Sequence, residues 1–110
     1  MKQYEIWWAD LPQPAGRRPV VLLSRDSAYS YLNKFLVAEI TTTVRGIAQE
    51  VGLGKGEGLS NPCAVNCDNL RTVSRSALTG KAGALPAARR LELKRAVGHA
   101  LGWVELIEAK

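Results

Sequence analysis

The stretch Arg18-Pro19-Val20-Val21-Leu22-Leu23-Ser24, entered from the loop Pro12-Gln13-Pro14-Ala15-Gly16-Arg17, decides how this chain folds. Pro19 fixes its own φ and pushes Arg18 towards extended backbone. The residues that follow are continuously apolar, the pattern of a strand buried on both faces. Arg18 is therefore carried on a stiff frame at the rim of a core, with its guanidinium directed outward. A rigid fork of donors in that pose suits a phosphate. A solvated loop arginine that merely precedes a core strand would have the same local sequence, and this stretch does not separate the two readings.

Working outward, Glu5 to Leu11 is rich in Ile, Trp and Ala and reads as a first strand with apolar groups on both faces. Asp26 is expected to cap a short helix carrying Ala28, Tyr29 and Leu32. Phe35 to Thr43 reads as a third strand that ends in β-branched polar residues, and Ala48 to Val51 as a short fourth. Gly52, Gly54, Gly56 and Gly58 alternate with Leu53, Lys55, Glu57 and Leu59, which predicts a mobile surface loop. It is not a phosphate-binding loop, because Gly56 follows Lys55 where Ser or Thr is needed.

Cys63 to Cys67 resumes strand character, and Asp68 to Val73 reads as a turn followed by a strand. Lys81 to Leu85 is a last short strand. Pro86 opens a helix at its first position. Leu93, Val97, Ala100, Leu101 and Val104 are expected to form its buried stripe, with Arg89, Arg90, Lys94 and Arg95 on a solvated face. Five or six short strands followed by a helix point to a mainly β domain with an α element. The expected form is a small, strongly bent antiparallel sheet or half-open barrel with a C-terminal helix.

At 110 residues the chain is expected to be one domain, residues 1–110. No signal-peptide pattern and no membrane-length apolar run is present, so a cytoplasmic protein with no membrane association is expected. Fifteen basic residues against ten acidic ones give a net charge of +5, spread over both halves of the chain. A folded basic domain favours an anionic partner, although a mildly basic surface with no such partner has the same composition.

Cys63 and Cys67 lie four apart on a strand, roughly 13 Å from one another and too far for a disulfide. With His99 as the only histidine, Cys and His do not complete a four-ligand zinc site. Two buried, reduced thiols are expected.

The catalytic sets that the chain lacks narrow its chemistry. One histidine excludes a two-histidine nuclease mechanism within one chain, and His99 reads as a partly buried structural residue on the helix. Ser24 and Ser27 lack a base. Asp10, Asp26, Glu39, Glu50, Glu57 and Asp68 are scattered singly, so no multi-carboxylate magnesium site is signalled. Arginines, hydroxyls and one carboxylate are what remain. That set suits RNA, which carries its own nucleophile in the 2′-hydroxyl. The protein then needs only to align that hydroxyl, stabilise charge on the phosphate and assist proton transfer, with no cofactor.

Four segments in order resemble the MazF/PemK (Kid-like) family of toxin endoribonucleases, of type II toxin–antitoxin systems. They are Glu5-Ile6-Trp7-Trp8-Ala9-Asp10-Leu11, Gly16-Arg17-Arg18-Pro19-Val20-Val21-Leu22-Leu23-Ser24, Val37-Ala38-Glu39-Ile40-Thr41 and Asn69-Leu70-Arg71-Thr72-Val73. The resemblance implies an SH3-like half-open barrel of the CcdB/MazF/PemK type. It implies a sequence-specific, metal-independent ribonuclease that cuts single-stranded RNA and leaves a cyclic phosphate. It also implies a homodimer and a cognate antitoxin whose acidic C-terminal tail covers the RNA groove. Residue by residue, Arg18 would act on the phosphate as acid/base or clamp, and Thr41 would bind the scissile phosphate or orient the 2′-hydroxyl. Gly16, Arg17, Asn69, Arg71, Thr72 and Glu39 would line the RNA site.

Two departures stand out. The loop before Arg18 is short and lacks the carboxylate that serves some relatives as a base. Glu39 stands where relatives commonly have Pro or another uncharged residue. It shares a strand face with Thr41, so it either assists the site or is a charge at a dimer interface or solvated edge. The RNA sequence recognised is expected to depend on loops 12–17 and 52–61. Two other functions fit a small basic barrel. A CcdB-like toxin acting on a protein target such as gyrase uses a C-terminal Trp-Gly-Ile, whereas this chain has Gly102-Trp103-Val104, with Trp103 expected to pack at the helix end. A non-catalytic RNA-binding barrel wants aromatics on an exposed sheet face, and Tyr4, Trp7 and Trp8 are also needed to build core.

Overall fold

A computed structural model describes residues 1–110. Six strands form one antiparallel sheet: β1 (Glu5–Asp10), β2 (Arg17–Leu22), β3 (Lys34–Thr41), β4 (Glu50–Leu53), β5 (Cys63–Ser74) and β6 (Leu78–Ala84). Their spatial order is β4-β5-β3-β2-β1-β6. Helix α1 (Arg90–Leu101) and the single turn α2 (Val104–Ile107) follow. The first three strands lie within two residues of the limits expected from hydropathy.

Both faces of the sheet are covered, which explains the apolar run after Arg18. Side chains alternate along each strand. Ile6, Val21, Ala38, Ile40 and Val65 point to one face and pack with Leu93 and Ala96 of α1. Val20, Leu22, Phe35, Val37 and Val73 point to the other, with Tyr29 and Leu78. Arg75 fastens this second cluster. Its Nη2 donates to the carbonyls of Tyr29 and Leu32, and its guanidinium lies over the Phe35 ring.

The sheet does not close by hydrogen bonds, but the segment after one edge reaches the other. The segment after β4 turns through a short 3-10 helix (Lys55–Glu57) and rests on β6. Gly58, at φ +93°, packs so tightly that a Cβ there would lie 2.3 Å from the Ala82 carbonyl oxygen. Glu57 Oε1 accepts the Gly54 N–H at 2.8 Å, and Glu57 Oε2 pairs with Arg89 at 3.4 Å. The glycine-rich segment is thus fastened at both sides, where alternating glycines had suggested a mobile loop.

Other local expectations are corrected. Asp26 caps nothing: it accepts the Gln3 N–H at 2.7 Å, and the segment Asp26–Ser30 is a 3-10 turn. The predicted turn at Asp68 is a bulge inside one long strand, β5. Asn66 Oδ1 accepts the Asp68 N–H, so the local turn chemistry is present but does not end the strand. Gly102 ends α1 in the left-handed conformation. The helical phase therefore breaks before Val104, and Val104, Leu101 and Trp103 are exposed.

The buried stripe is Leu93 and Ala96, with Val97 and Ala100 half-buried beside them, and His99 is exposed. The basic face is largely occupied as well. Arg89 pairs with Glu57 and Glu92, Arg90 stacks on Tyr4, and Arg95 donates to the Ala109 carbonyl. Cys63 and Cys67 are buried free thiols. No helix is long and apolar enough to cross a membrane.

Candidate active site

On the second face of the sheet, one end is apolar and the other polar. Val20, Leu22, Phe35 and Val37 give way along the same face to Arg18, Glu39, Thr41 and Arg71. The register explains how they meet. β2 pairs with β3 through Val20↔Glu39. Arg18 and Thr41 each lie two residues beyond that last pair, and both line the same cleft. On the other side of β3, Val37 pairs with Arg71 and Glu39 with Asn66. Arg18 and Arg71 thus reach Glu39 diagonally from the two strands that flank β3, as same-face diagonal neighbours can.

Glu39 is 8% exposed. Arg18 Nη1 donates to its Oε1 at 3.3 Å, and Arg71 Nη1 donates to its Oε2 at 3.1 Å. It is therefore not a solvated edge charge; it is a buried carboxylate shared by two half-exposed arginines. A buried carboxylate is tolerable only when paired in this way. Arg18 Nε is buried with no partner.

A cleft of about 500 Å³ opens beside this cluster, lined among others by Trp8, Arg17, Arg18, Thr41, Ser60 and Asn61. Thr41 Oγ1 accepts the Thr43 N–H at 3.1 Å, which leaves the hydroxyl proton free to donate to an incoming oxygen. Arg17 leaves β2 on the face opposite to Arg18. There it is the diagonal neighbour of Trp8, whose cross-strand partner is Pro19, and its guanidinium lies 4.4 Å from the Trp8 ring centroid. Trp8, Ser60 and Asn61 were not singled out as site residues from the sequence. The one signal was that loops 12–17 and 52–61 were both expected to shape recognition, and the cleft is where Arg17 and residues 58–61 come together.

The other expected residues are placed apart from this cleft. Arg71 and Thr72 line a separate cleft of about 320 Å³ with Asp10 and Lys34. Gly16, at φ +65°, closes the β1–β2 connection, where its carbonyl accepts the Leu11 N–H. Asn69 is exposed on the β5 bulge. Unbroken register from Val37↔Arg71 would have set it opposite Glu39, but the bulge puts Asn66 there instead. No three His, Cys, Asp or Glu side chains gather as metal ligands.

A profile described as PemK-like, MazF-like toxin of type II toxin–antitoxin system matches residues 2–101. The chain belongs to this family. Among MazF relatives, it is 44% identical over 86 residues to the probable endoribonuclease MazF5 of Mycobacterium tuberculosis, a match covering 77% of this chain and 78% of that protein. It is 42% identical over 89 residues to the endoribonuclease MazF3 of the same species, covering 79% and 86%. The solved structure of the Mycobacterium tuberculosis toxin MazF-mt6 superposes with a TM-score of 0.84 at 38% identity, covering 89% of this chain and 96% of that one. The bent, unclosed sheet with a C-terminal helix is the MazF fold. Within it, Glu39 ties together two arginines that a MazF-like reading assigns to RNA.

Proposed function

We propose that this MazF-like chain is a cytoplasmic endoribonuclease toxin that cuts single-stranded RNA without a metal. The observation that supports the reading is that Arg18 and Thr41 line one open cleft. In the proposed reaction the 2′-hydroxyl loses its proton to water and attacks the adjacent phosphorus, and the bond to the 5′-oxygen breaks. That oxygen takes a proton from water to become the 5′-hydroxyl of the downstream fragment, and a cyclic phosphate remains on the upstream fragment. Arg18 stabilises the charge that grows on the phosphate oxygens, where preorganised donors count most. Thr41 donates a hydrogen bond from its free hydroxyl to a phosphate oxygen and holds the phosphate in line. Arg17 and Trp8 offer a cationic, aromatic wall for a flanking base.

The family's description as toxins of toxin–antitoxin systems supports a cognate antitoxin as partner. An acidic antitoxin tail would complement the net charge of +5. Exposed Leu36, Leu101 and Trp103, around an apolar groove between α1 and the sheet, support a homodimer or partner contact. The test is incubation of the purified protein with single-stranded RNA in EDTA. Cleavage that survives EDTA and disappears in Arg18→Ala is expected, whereas intact RNA with the parent protein would refute the reading.

A further inference from the structure

We propose that Glu39 is a positioning residue for RNA cleavage, an inference that rests on the ribonuclease reading above. Its two oxygens are divided between two guanidiniums, Oε1 to Arg18 and Oε2 to Arg71. These arginines come from β2 and β5, the strands on either side of β3. One buried carboxylate therefore sets the spacing of two cations that would otherwise repel. Because both oxygens are engaged, Glu39 acts through the arginines and not on the 2′-hydroxyl.

The pairing is also economical of donors. Only one Nη1 contact is given to Glu39 from each arginine, which leaves Nη2 of each free to donate, Arg18 in the cleft with Thr41 and Arg71 in its own cleft. The charge balance points the same way. Two guanidiniums and one carboxylate leave a single positive charge, equal and opposite to one phosphodiester. Removing Glu39 would leave two positive charges. RNA would then be held more tightly in the ground state as well as the transition state, and such uniform binding does not speed the chemical step.

The experiment compares the parent protein with Glu39→Gln and Glu39→Asp on the same RNA in EDTA, measuring kcat and KM. Binding of that RNA, made 2′-deoxy at the mapped cleavage site, is then followed over a salt series. Glu39→Gln should lower kcat by about tenfold or more. Its KM should not rise, and its log Kd against log salt slope should steepen by about 0.7, one extra charge on a single strand. Glu39→Asp keeps the charge but is too short to span both arginines, so it should keep the parent salt slope and lose kcat. A Gln variant with kcat within about twofold of the parent overturns the proposal. So does a parallel loss of kcat and affinity in a Gln variant that still unfolds cooperatively. If Glu39→Gln does not fold, Glu39→Asp decides, and parent-like kcat there overturns the proposal. A parent protein that leaves RNA intact refutes the ribonuclease reading itself, an outcome distinct from an active parent with an equally active Gln variant.

Discussion

Gly83 and Gly58 are in backbone contact across the gap between the two edges of the sheet. A Cβ on Gly83 would lie 3.1 Å from the Gly58 Cα and 1.9 Å from the Glu57 carbonyl oxygen. The sheet stays open, and the segment after β4 spans the gap by packing on β6 through two glycines. The same segment continues into Leu59, Ser60 and Asn61, a wall of the candidate active site. The packing of this segment on β6 and the shape of the site are therefore coupled.

Gly83→Ala should be destabilising by about 3 kcal/mol, the upper end for overpacking, because the atom it meets is backbone that cannot swing aside. The melting temperature should fall by roughly 12 °C or more for a domain of this size. Gly80→Ala, on the same strand with nothing within 4 Å, is the control and should melt near the parent. Equal melting of the two variants would show that the loop does not bear on β6.

Arg18→Lys should lose most of the activity that Arg18→Ala loses, about 100-fold or more in kcat. Lysine keeps the charge but not the planar fork that reaches Glu39 and a phosphate together. Both variants should also melt somewhat earlier, because each removes a partner from buried Glu39. Single-turnover cleavage and thermal unfolding check both effects, and a fully active Arg18→Lys would argue that only charge matters there.

Trp8→Ala should weaken binding of single-stranded RNA by about 1–3 kcal/mol, the usual worth of one base stacked on an aromatic ring. Arg17→Gln should weaken it less and reduce the salt slope by about 0.7. Trp8→Phe should lie between the parent and Trp8→Ala. Titrations of a 2′-deoxy-substituted RNA give all three values, and unchanged affinity in Trp8→Ala would remove the stacking wall from the site.

Stability should fall on the alkaline side. Burial, aided by the Asp68 charge, pushes the Cys67 thiol from 9.0 up to about 12. Burial, with the Asp26 and Glu5 charges behind it, pushes the Tyr29 hydroxyl from 10.0 up to about 12. Both folded-state values are raised, so the unfolded chain loses these protons first as pH rises. Their contribution is complete below about pH 9 and is lost as pH climbs towards about 12. Urea midpoints at about pH 8 and pH 11 should differ in that direction, with Cys67→Ala flattening part of the slope. A midpoint that is level or rising across that window would contradict the assignment.

Periodicity along the chain was enough for the strands that are apolar on both faces, since burial on two sides writes itself into local composition. Val20 to Leu22 and Phe35 to Ile40 could hardly form anything else. Arg18 stood out as a charge at the rim of such a strand, with two readings open, and Thr41 entered as a candidate only through the resemblance to the MazF/PemK family. Asp68, by contrast, carries real turn chemistry that the long strand absorbs as a bulge. That bulge moves Asn69 out of register and puts Asn66 opposite Glu39.

The partnerships were decided only by the folded chain. Glu39 lies 21 residues from Arg18 and 32 from Arg71 in sequence, and its role depends on which strands flank β3. Trp8 meets Arg17 only because the β1–β2 register makes them diagonal neighbours on one face. Gly83 meets Glu57 and Gly58 only because the sheet bends enough for the segment after β4 to reach β6. Local burial and backbone preference are properties of neighbouring residues, so they can be read along the chain. Strand order, bulges and sheet curvature arise from long-range pairing, and those pairings brought two arginines onto one carboxylate.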